Sequence, residues 1–531
     1  MNENLIVNAL LKTDPALYQQ VDGGSDFLSA IKQRGARVEK YRRYERGDHD
    51  QNLTKQQRLL LNIQSDDSDL NEASSNYCGI VIDMMAGRTQ VSEITSEDET
   101  ENNWIIDTLG RNRFESKQGE WFRGAIRDCE SYVIVDPQTA LWSSEPAYDG
   151  YSGVVAIYDP MTMLPNWACK LYSTAESADV SSDADDLGDS QTVNIVVYQP
   201  DQITYWIGQS GGGEVAPVRI EQPEGVSLPI VESGNGYQWS LGLIPMVQFA
   251  NKRDNYTPYG ESEIRSVIPL QDIVNGTLYD MMMASKLSAF KIYYSIGMEI
   301  DKDGIVPGSA ISFVLKDANG NAITDFTAEQ IEFLKSVKVG EFGVTDMSQY
   351  TNQLDKLERE ISQVSSTPVY GITAQGNLSG EALKQLESGL IGKVYRFQNE
   401  NSGAIEMLLR MTAEIQRNFE VNRSFMSRFS TKVMSFLGLQ KPTDPPKSLD
   451  NISINWQSPE IVNVANQMNA LSQLRRDNPG LWPDEWYRER IGGLIGMSSS
   501  QIKAEGEKAQ LQSAMSFSDL MNANNEPGPI V

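Results

Sequence analysis

The chain of 531 residues has one histidine, His49, in the polar run YERGDHDQN, and any Ser-His-Asp or Cys-His site would have to use it. A polar loop supplies no orienting group for a catalytic imidazole, so a solvated loop histidine is expected. Cys78, Cys129 and Cys169 lie far apart, show no C-x-x-C spacing and are odd in number. They are expected to be buried structural thiols in a reducing compartment, not a metal knuckle or a disulfide framework. The glycine-rich runs are no better as phosphate cradles. GQSGGGEVA (208–216) lacks the Lys-Ser/Thr ending of a P-loop, and GNGYQW (234–239) lacks the third glycine of a dinucleotide fingerprint. In the acidic run DADDLGD (183–189), Leu187 occupies a position where a calcium ligand is needed. In DANGNAITDFTAE (317–329), Ala322 and Ala328 stand where a calcium loop needs glycine and glutamate. No catalytic, cofactor-binding or metal-binding set emerges, and the chain is not expected to be an enzyme.

The elements that such residues would hang on have an uneven character. At 40% hydrophobic residues the chain can bury several domains' worth of core. No apolar run approaches the ~20 residues that cross a bilayer, and the first residues lack a basic, then apolar, leader; a soluble, unexported protein is expected. Lys and Arg number 45 against 72 Asp and Glu, a formal net charge of −27. A nonspecific DNA-gripping protein needs the opposite sign, because its affinity comes from neutralising phosphates.

Along the chain, residues 1–120 read as largely helical and polar, and 125–255 as β-rich with turn clusters. The acidic, Ser-rich run 173–191 reads as an exposed loop. A helix is expected from about Ile268 to Phe290, with Pro269 in its first turn and Ile264, Val267, Ile268, Val274, Leu278, Met281 and Leu287 near one stripe. ISFVLKDANGNAITDF reads as a β-hairpin turning at Asn319-Gly320, and TAEQIEFLKSV as a short helix. Met347, Tyr350, Leu354, Leu357, Ile361 and Val364 then form a narrow apolar seam, with Asp355/Arg359 and Lys356/Glu360 as i,i+4 pairs on the other faces. Pro368 stops that helix. Ser379 is a plausible N-cap for a long helix over 380–419 whose stripe runs from Leu383 to Phe419. KPTDPPKS (441–448) reads as a linker, ISINW (452–456) as a strand, 458 onward as helical, and NANNEPGPIV as a disordered tail.

The order of long helix, hairpin-bearing insert, seamed helix, loop and longer helix resembles the phage portal proteins of the Gp6-like type. Five local matches carry the likeness. Tyr41 to His49 resembles a Y-x-x-Y-x-x-G-D/H segment, and Val197 to Ile203 a V-Y-T-P-D-x-I strand with Gln199 where Thr is common. Ile244 to Asn251 looks like the strand before the first stem helix. Gly260 to Ile264, Pro269 to Asp272 and Asn275 look like that helix's opening. Thr367-Pro368 and Leu378 to Leu383 look like the limits of a tunnel loop.

The resemblance implies an α+β portal fold with a helical stem, an α/β clip, a mixed α/β wing and a helical crown. The wing would span 1–259, the first stem helix 260–290, the clip 291–345, the second stem helix 346–367, and the tunnel loop 368–379. A long wing helix with its linker would span 380–457, and the crown with its tail 458–531. It implies a homo-oligomer of twelve subunits at one capsid vertex of the virion, assembled in the host cytoplasm. Double-stranded DNA would pass through it in packaging and ejection. The expected partners are the terminase large subunit, a head–tail adaptor, and the major capsid protein with its scaffold; no membrane is involved. Ala374, Gln375, Gly376 and Asn377 would face the channel, Asn319 and Gly320 would tip the clip, and Lys286 and Lys356 would be lumen-facing bases. A twelve-subunit ring multiplies the charge of −27 twelvefold, and an electronegative wall lets duplex slide rather than stick. Competing expectations are another head–tail connector or scaffold protein and, more remotely, a carboxylate-metal hydrolase.

Overall fold

In the computed structural model the described residues are 2–21, 26–50, 75–137, 139–159, 161–173, 192–220, 230–231, 234–238, 242–254, 258–289, 293–296, 327–341, 346–368, 380–418, 444–449, 451–460, 471–476, 487, 490–492 and 508. Helices and sheets are mixed throughout, so the fold class is α+β. Helices α1 (Glu3–Thr13), α2 (Pro15–Val21), α3 (Asp26–Arg46) and α4 (Tyr77–Ala86) lead. Strand β1 (Val91–Ser96) interrupts the stretch expected to be largely helical, before α5 (Glu99–Arg111) and α6 (Phe114–Asp128). Its partner explains why it was not anticipated: β1 pairs antiparallel with β13 (Ile452–Trp456), more than 350 residues away.

The β-rich region makes two further sheets. β2 (Glu130–Val135) lies between β3 (Trp142–Pro146) and β10 (Met246–Ala250). β4 (Gly153–Tyr158), β5 (Pro165–Ser173), β6 (Thr192–Tyr198), β7 (Gln202–Gln209) and β8 (Val215–Pro217) follow one another in an antiparallel meander, with β9 (Gly236–Gln238) also on β7. Strand alternation divides the meander into two faces. Val155, Ile157, Trp167, Leu171, Ile195 and Val197 meet Leu5, Ile6, Ala9 and Leu10 of α1. The opposite face, with Val154, Ala156, Ala168 and Val196, meets Tyr132, Ile134 and Met246 of the three-stranded sheet. Both glycine-rich runs fall at or beside turns of this meander, as expected. The acidic run from 174 to 191 lies outside the described residues.

The largest core forms around α6. Its buried positions Phe114, Gln118, Trp121, Phe122, Ala125 and Ile126 recur at helical spacing, so one face is apolar. Trp121 stacks on Phe249 with ring centroids 5.7 Å apart, and Phe122 meets Phe249, Phe397 and Trp456 at 5.7, 5.9 and 5.2 Å. Three buried indoles keep their N–H groups satisfied: Trp121 donates to Ser144 Oγ, Trp142 to Thr412 Oγ1 and Trp104 to Gln416 Oε1. Cys78 and Cys169 are buried and Cys129 is half-buried, all unpaired. Burial pushes the Cys78 thiol up to about 12 and the Cys129 thiol up to about 11, which suits inert packing.

The remaining elements run α7 (Ile268–Ala289), β11 (Tyr293–Ile296), α8 (Ala328–Ser336), β12 (Lys338–Glu341), α9 (Ser348–Ser365) and α10 (Gly380–Asn418). Pro269 sits in the first turn of α7, where its missing N–H costs nothing. α8 begins with a capping box, Thr327 and Gln330 each bonding the other's backbone. β11 pairs antiparallel with β12, and α8 lies between them in sequence. The hairpin expected at Asn319-Gly320 lies outside the described residues. α10, 39 residues and about 58 Å at ~1.5 Å rise, buries Leu390, Val394, Phe397, Ile405, Leu408 and Ile415, the middle of its expected stripe. Buried Asn401 on this helix serves the free edge of β10: its amide accepts from Ala250 N and donates to Ala250 O, both at 3.0 Å. Among the described residues no helix is long and apolar enough to cross a membrane.

Candidate functional site

The candidate site is the junction where α7 is fastened to the α3 segment that carries the first resemblance, with α9 packed on α7 and α10 bonded to the residues before α7 and at the end of α9. That segment is a charged seam. Arg42 donates to Asp128 at 2.9 Å and to Asp149 at 2.5 Å, and Glu45 accepts from both Arg123 and Arg127 at 2.7 Å. Asp128 is 1% exposed in its side chain and also takes both a 2.7 Å and a 2.9 Å bond from Arg127, so two guanidinium groups share one buried carboxylate. Tyr41 and Tyr44 on the inner side of α3 join the core.

His49 belongs to the same seam, and the expectation of a solvated loop histidine is wrong. Residues 47–50 fold back on α3, with Asp50 N donating to Tyr44 Oη at 3.2 Å. The imidazole is 3% exposed. Its Nδ1 stands 2.9 Å from Asn275 Nδ2, and its Nε2 stands 3.2 Å from Tyr44 O. An amide donor on Nδ1 and a carbonyl acceptor near Nε2 fit a neutral ring protonated at Nε2. Burial holds its pKa below the usual value. The chain of bonds continues through Asn275 Oδ1 to Gln271 Nε2, which also donates to Ser75 O, while Gln271 Oε1 accepts from Tyr77 N. Tyr44 donates to Asp272 Oδ1 at 2.6 Å. The polar residues that looked like the opening signature of α7 are therefore joinery: Gln271, Asp272 and Asn275 fasten its first two turns to α3 and α4.

α9 packs against α7. Leu357 and Ile361 of its seam are buried, Leu354 is half-buried against the main core, and Val364, at the far end, is 47% exposed. The two i,i+4 pairs expected on its outer face do not form; Asp355, Lys356, Arg359 and Glu360 are exposed, where water competes for each charge. Lys356 thus stands on a wet face of α9. Lys286 lies in the last turn of α7, with its side chain outside the described residues. Ala374, Gln375, Gly376, Asn377, Asn319 and Gly320 lie outside them as well.

Residues that sequence reasoning did not single out meet where α9 ends. Lys393 of α10, 12% exposed in its side chain, donates to Glu263 Oε1 at 2.5 Å, to Ser365 O at 2.7 Å and to Thr367 Oγ1 at 2.7 Å. Glu263, 1% exposed, also pairs with Lys252 at 3.1 Å. Gly260 upstream is obligatory for close approach: a Cβ there would lie 2.3 Å from Asn251 O and 2.4 Å from Cys129 O. Two sequence signals fell here, the Gly260–Ile264 cluster and Thr367-Pro368, and neither gave a hint of the lysine that joins them.

Nothing in this arrangement is set for covalent chemistry. Among the described residues no three His, Cys, Asp or Glu side chains are grouped to hold a metal ion. Among the described residues the most buried carboxylates, Asp128, Glu130 and Glu263, are each committed to an ion pair.

No curated protein sequence matches the chain. Among solved structures, the neck of an empty GTA particle, computed with C6 symmetry, is similar at 10% identity with a TM-score of 0.34, covering 81% of this chain and 94% of that one. The family model described as phage portal protein, SPP1 Gp6-like, matches residues 27–512, which include the α3 seam, the meander, and α7 through α10. A match of that extent, over the same segments whose residues build the junction, makes this chain a member of the SPP1 Gp6-like phage portal protein family.

Proposed function

We propose that the protein forms a closed ring at one capsid vertex and that genome DNA passes through its centre during packaging and ejection. The observation that carries this reading is the family match over residues 27–512. The arrangement of α7 and α9 supports it: two helices joined at one end to a large core, with a small α/β unit (β11, α8, β12) between them in sequence. On this reading the unit within 291–345 is the clip that meets the terminase large subunit and later the head–tail adaptor. Residues 368–379 are the tunnel loop, with Ala374, Gln375, Gly376 and Asn377 toward the DNA, and 458–531 contribute to the crown. The ring is dodecameric and touches the major capsid protein and scaffold. Its acidic balance keeps duplex from adhering, while Lys356, exposed on α9, and Lys286 touch phosphates transiently.

Electron microscopy of the purified chain tests the ring directly: closed rings with a duplex-wide hole are expected, and monomers or open filaments overturn the reading. Gln375→Glu and Lys356→Glu refine it. Both variants should assemble normally and lower the amount of DNA retained per particle. Full packaging by both removes these residues from the DNA path.

A further inference from the structure

The end of α9 is held in an unusual way. Ser366 takes a left-handed conformation with φ of 50°, and Thr367 N donates back to Ser362 O at 3.1 Å, a Schellman-type stop. Pro368 follows, and a residue preceding proline avoids helical geometry, so the chain must turn away here. Helix ends leave carbonyls without intrahelical donors, and a solvated end would give them to water. Here Ser365 O receives the buried Lys393 ammonium instead. The same ammonium takes Thr367 Oγ1, and Ser362 Oγ donates to Thr367 O at 2.6 Å. Gly389, one turn earlier on α10, faces Ser366 so closely that a Cβ would lie 3.1 Å from Ser366 Cβ.

We propose that Lys393 is a positioning residue that locks the exit of α9 to the start of α7, and thereby sets where the chain leaves toward 369–379. Its three acceptors belong to two different segments: Glu263 precedes α7, whereas Ser365 and Thr367 end α9. One ammonium has only three N–H donors, and all three are committed. A displacement of either segment therefore breaks at least one charge-assisted bond in a buried setting, where such bonds are strongest. Lys252 supplies a contrast inside the same cluster. It also neutralises Glu263, but it is 34% exposed and bonds neither Ser365 nor Thr367. If the cluster served only to neutralise Glu263, the two lysines would be interchangeable.

The functional weight of this lock rests on the reading of 368–379 as the loop facing DNA, and the test separates the two. Amide hydrogen exchange is followed by mass spectrometry on the full-length chain for Lys393→Met, Lys252→Met and Lys393→Arg. Lys393→Met should raise exchange over 362–368 by about tenfold or more while the meander of β4 to β8 stays protected. Lys252→Met should leave 362–368 at the wild-type rate, and Lys393→Arg, whose planar fork keeps the charge but not the three bond directions, should give a smaller local rise than Lys393→Met. Equal effects of the two Met variants, or no local change in a folded Lys393→Met protein, overturn the lock. Where Lys393→Met fails to fold, the Lys393→Arg and Lys252→Met pair decides: a local rise with arginine and none with Lys252→Met supports it, and the reverse overturns it. Particles built with Lys393→Met should also retain several-fold less DNA. Normal retention together with raised local exchange upholds the lock and overturns the channel-facing reading of 368–379.

Discussion

The two ends of the α7–α9 pair are built on different principles. At the root, the helices enter a core of aromatic rings and committed ion pairs, and the buried carboxylates Asp128 and Glu263 are each paired. At the far end, α8 between β11 and β12 buries none of its own residues, and Ile331 and Phe333 remain 43% and 44% exposed. The root is distinguished by its paired buried carboxylates and not by full coverage, since Ile273 and Val364 there are 49% and 47% exposed. Ile331 and Phe333 are apolar side chains left partly in water, which suits a surface that neighbours would cover in the proposed ring. In the proposed ring, stability would rest at the root of these helices and assembly at their far end.

The largest effect should come from the root. Phe122 touches Phe249, Phe397 and Trp456, so Phe122→Ala leaves a cavity at the meeting point of α6, β10, α10 and β13. A loss of about 3–5 kcal/mol is expected, read as a lower denaturant midpoint with unchanged slope. A loss under about 1 kcal/mol would mean that the rings are not a shared core.

An intermediate effect should appear at His49. Burial lowers its folded pKa below the 6.5 of the free side chain, so the unfolded chain takes up the proton first. The stabilisation is whole above about pH 6.5 and is lost as the pH falls through the folded value. His49→Gln should cost about 1–3 kcal/mol at neutral pH through broken bonds to Asn275 and Tyr44. It should also flatten the stability profile between pH 7 and about pH 5, which chemical denaturation across that range would measure. An unchanged acid profile in the variant would assign the pH response to carboxylates elsewhere.

The smallest effect on the single chain should come from the far end. Phe333→Ser is expected to shift its stability by no more than about 0.5 kcal/mol, because the ring is already partly in water. Ring formation or partner binding, measured by sedimentation, should fall nonetheless. If Phe333→Ser instead destabilises the chain as much as Phe122→Ala, the contrast between the two ends collapses.

Much of this was legible in the residues themselves. The start of α7 at Ile268, the limits of α9 and α10, the strand at 452–456 and the burial of two of the three thiols, Cys78 and Cys169, all follow from local periodicity, proline placement and side-chain type. Those properties act over one or two helical turns, so a linear reading captures them. Two failures share a different cause. β1 was missed because its pairing with β13 is stated nowhere near Val91. His49 was taken for a solvated residue because Asn275, its partner, is 226 residues away. The ion pairs expected on α9 are absent although surface i,i+4 pairs form at Arg396/Glu400 and Arg410/Glu406, because a pair worth only ~0.3–0.5 kcal/mol does not dictate rotamers.

By itself, then, the sequence determined the helices and their apolar stripes, the acidic balance, and the absence of any recognisable catalytic motif, together with the ordered motifs that mark the family. Only the tertiary structure decided which polar residues became joinery. Glu263, Lys393, Gln271 and Asn275 acquire their roles from partners brought together by folding, and a buried charge or amide is defined by what satisfies it. No local pattern encodes that choice, because burial and pairing are properties of the packed chain and not of any segment in it.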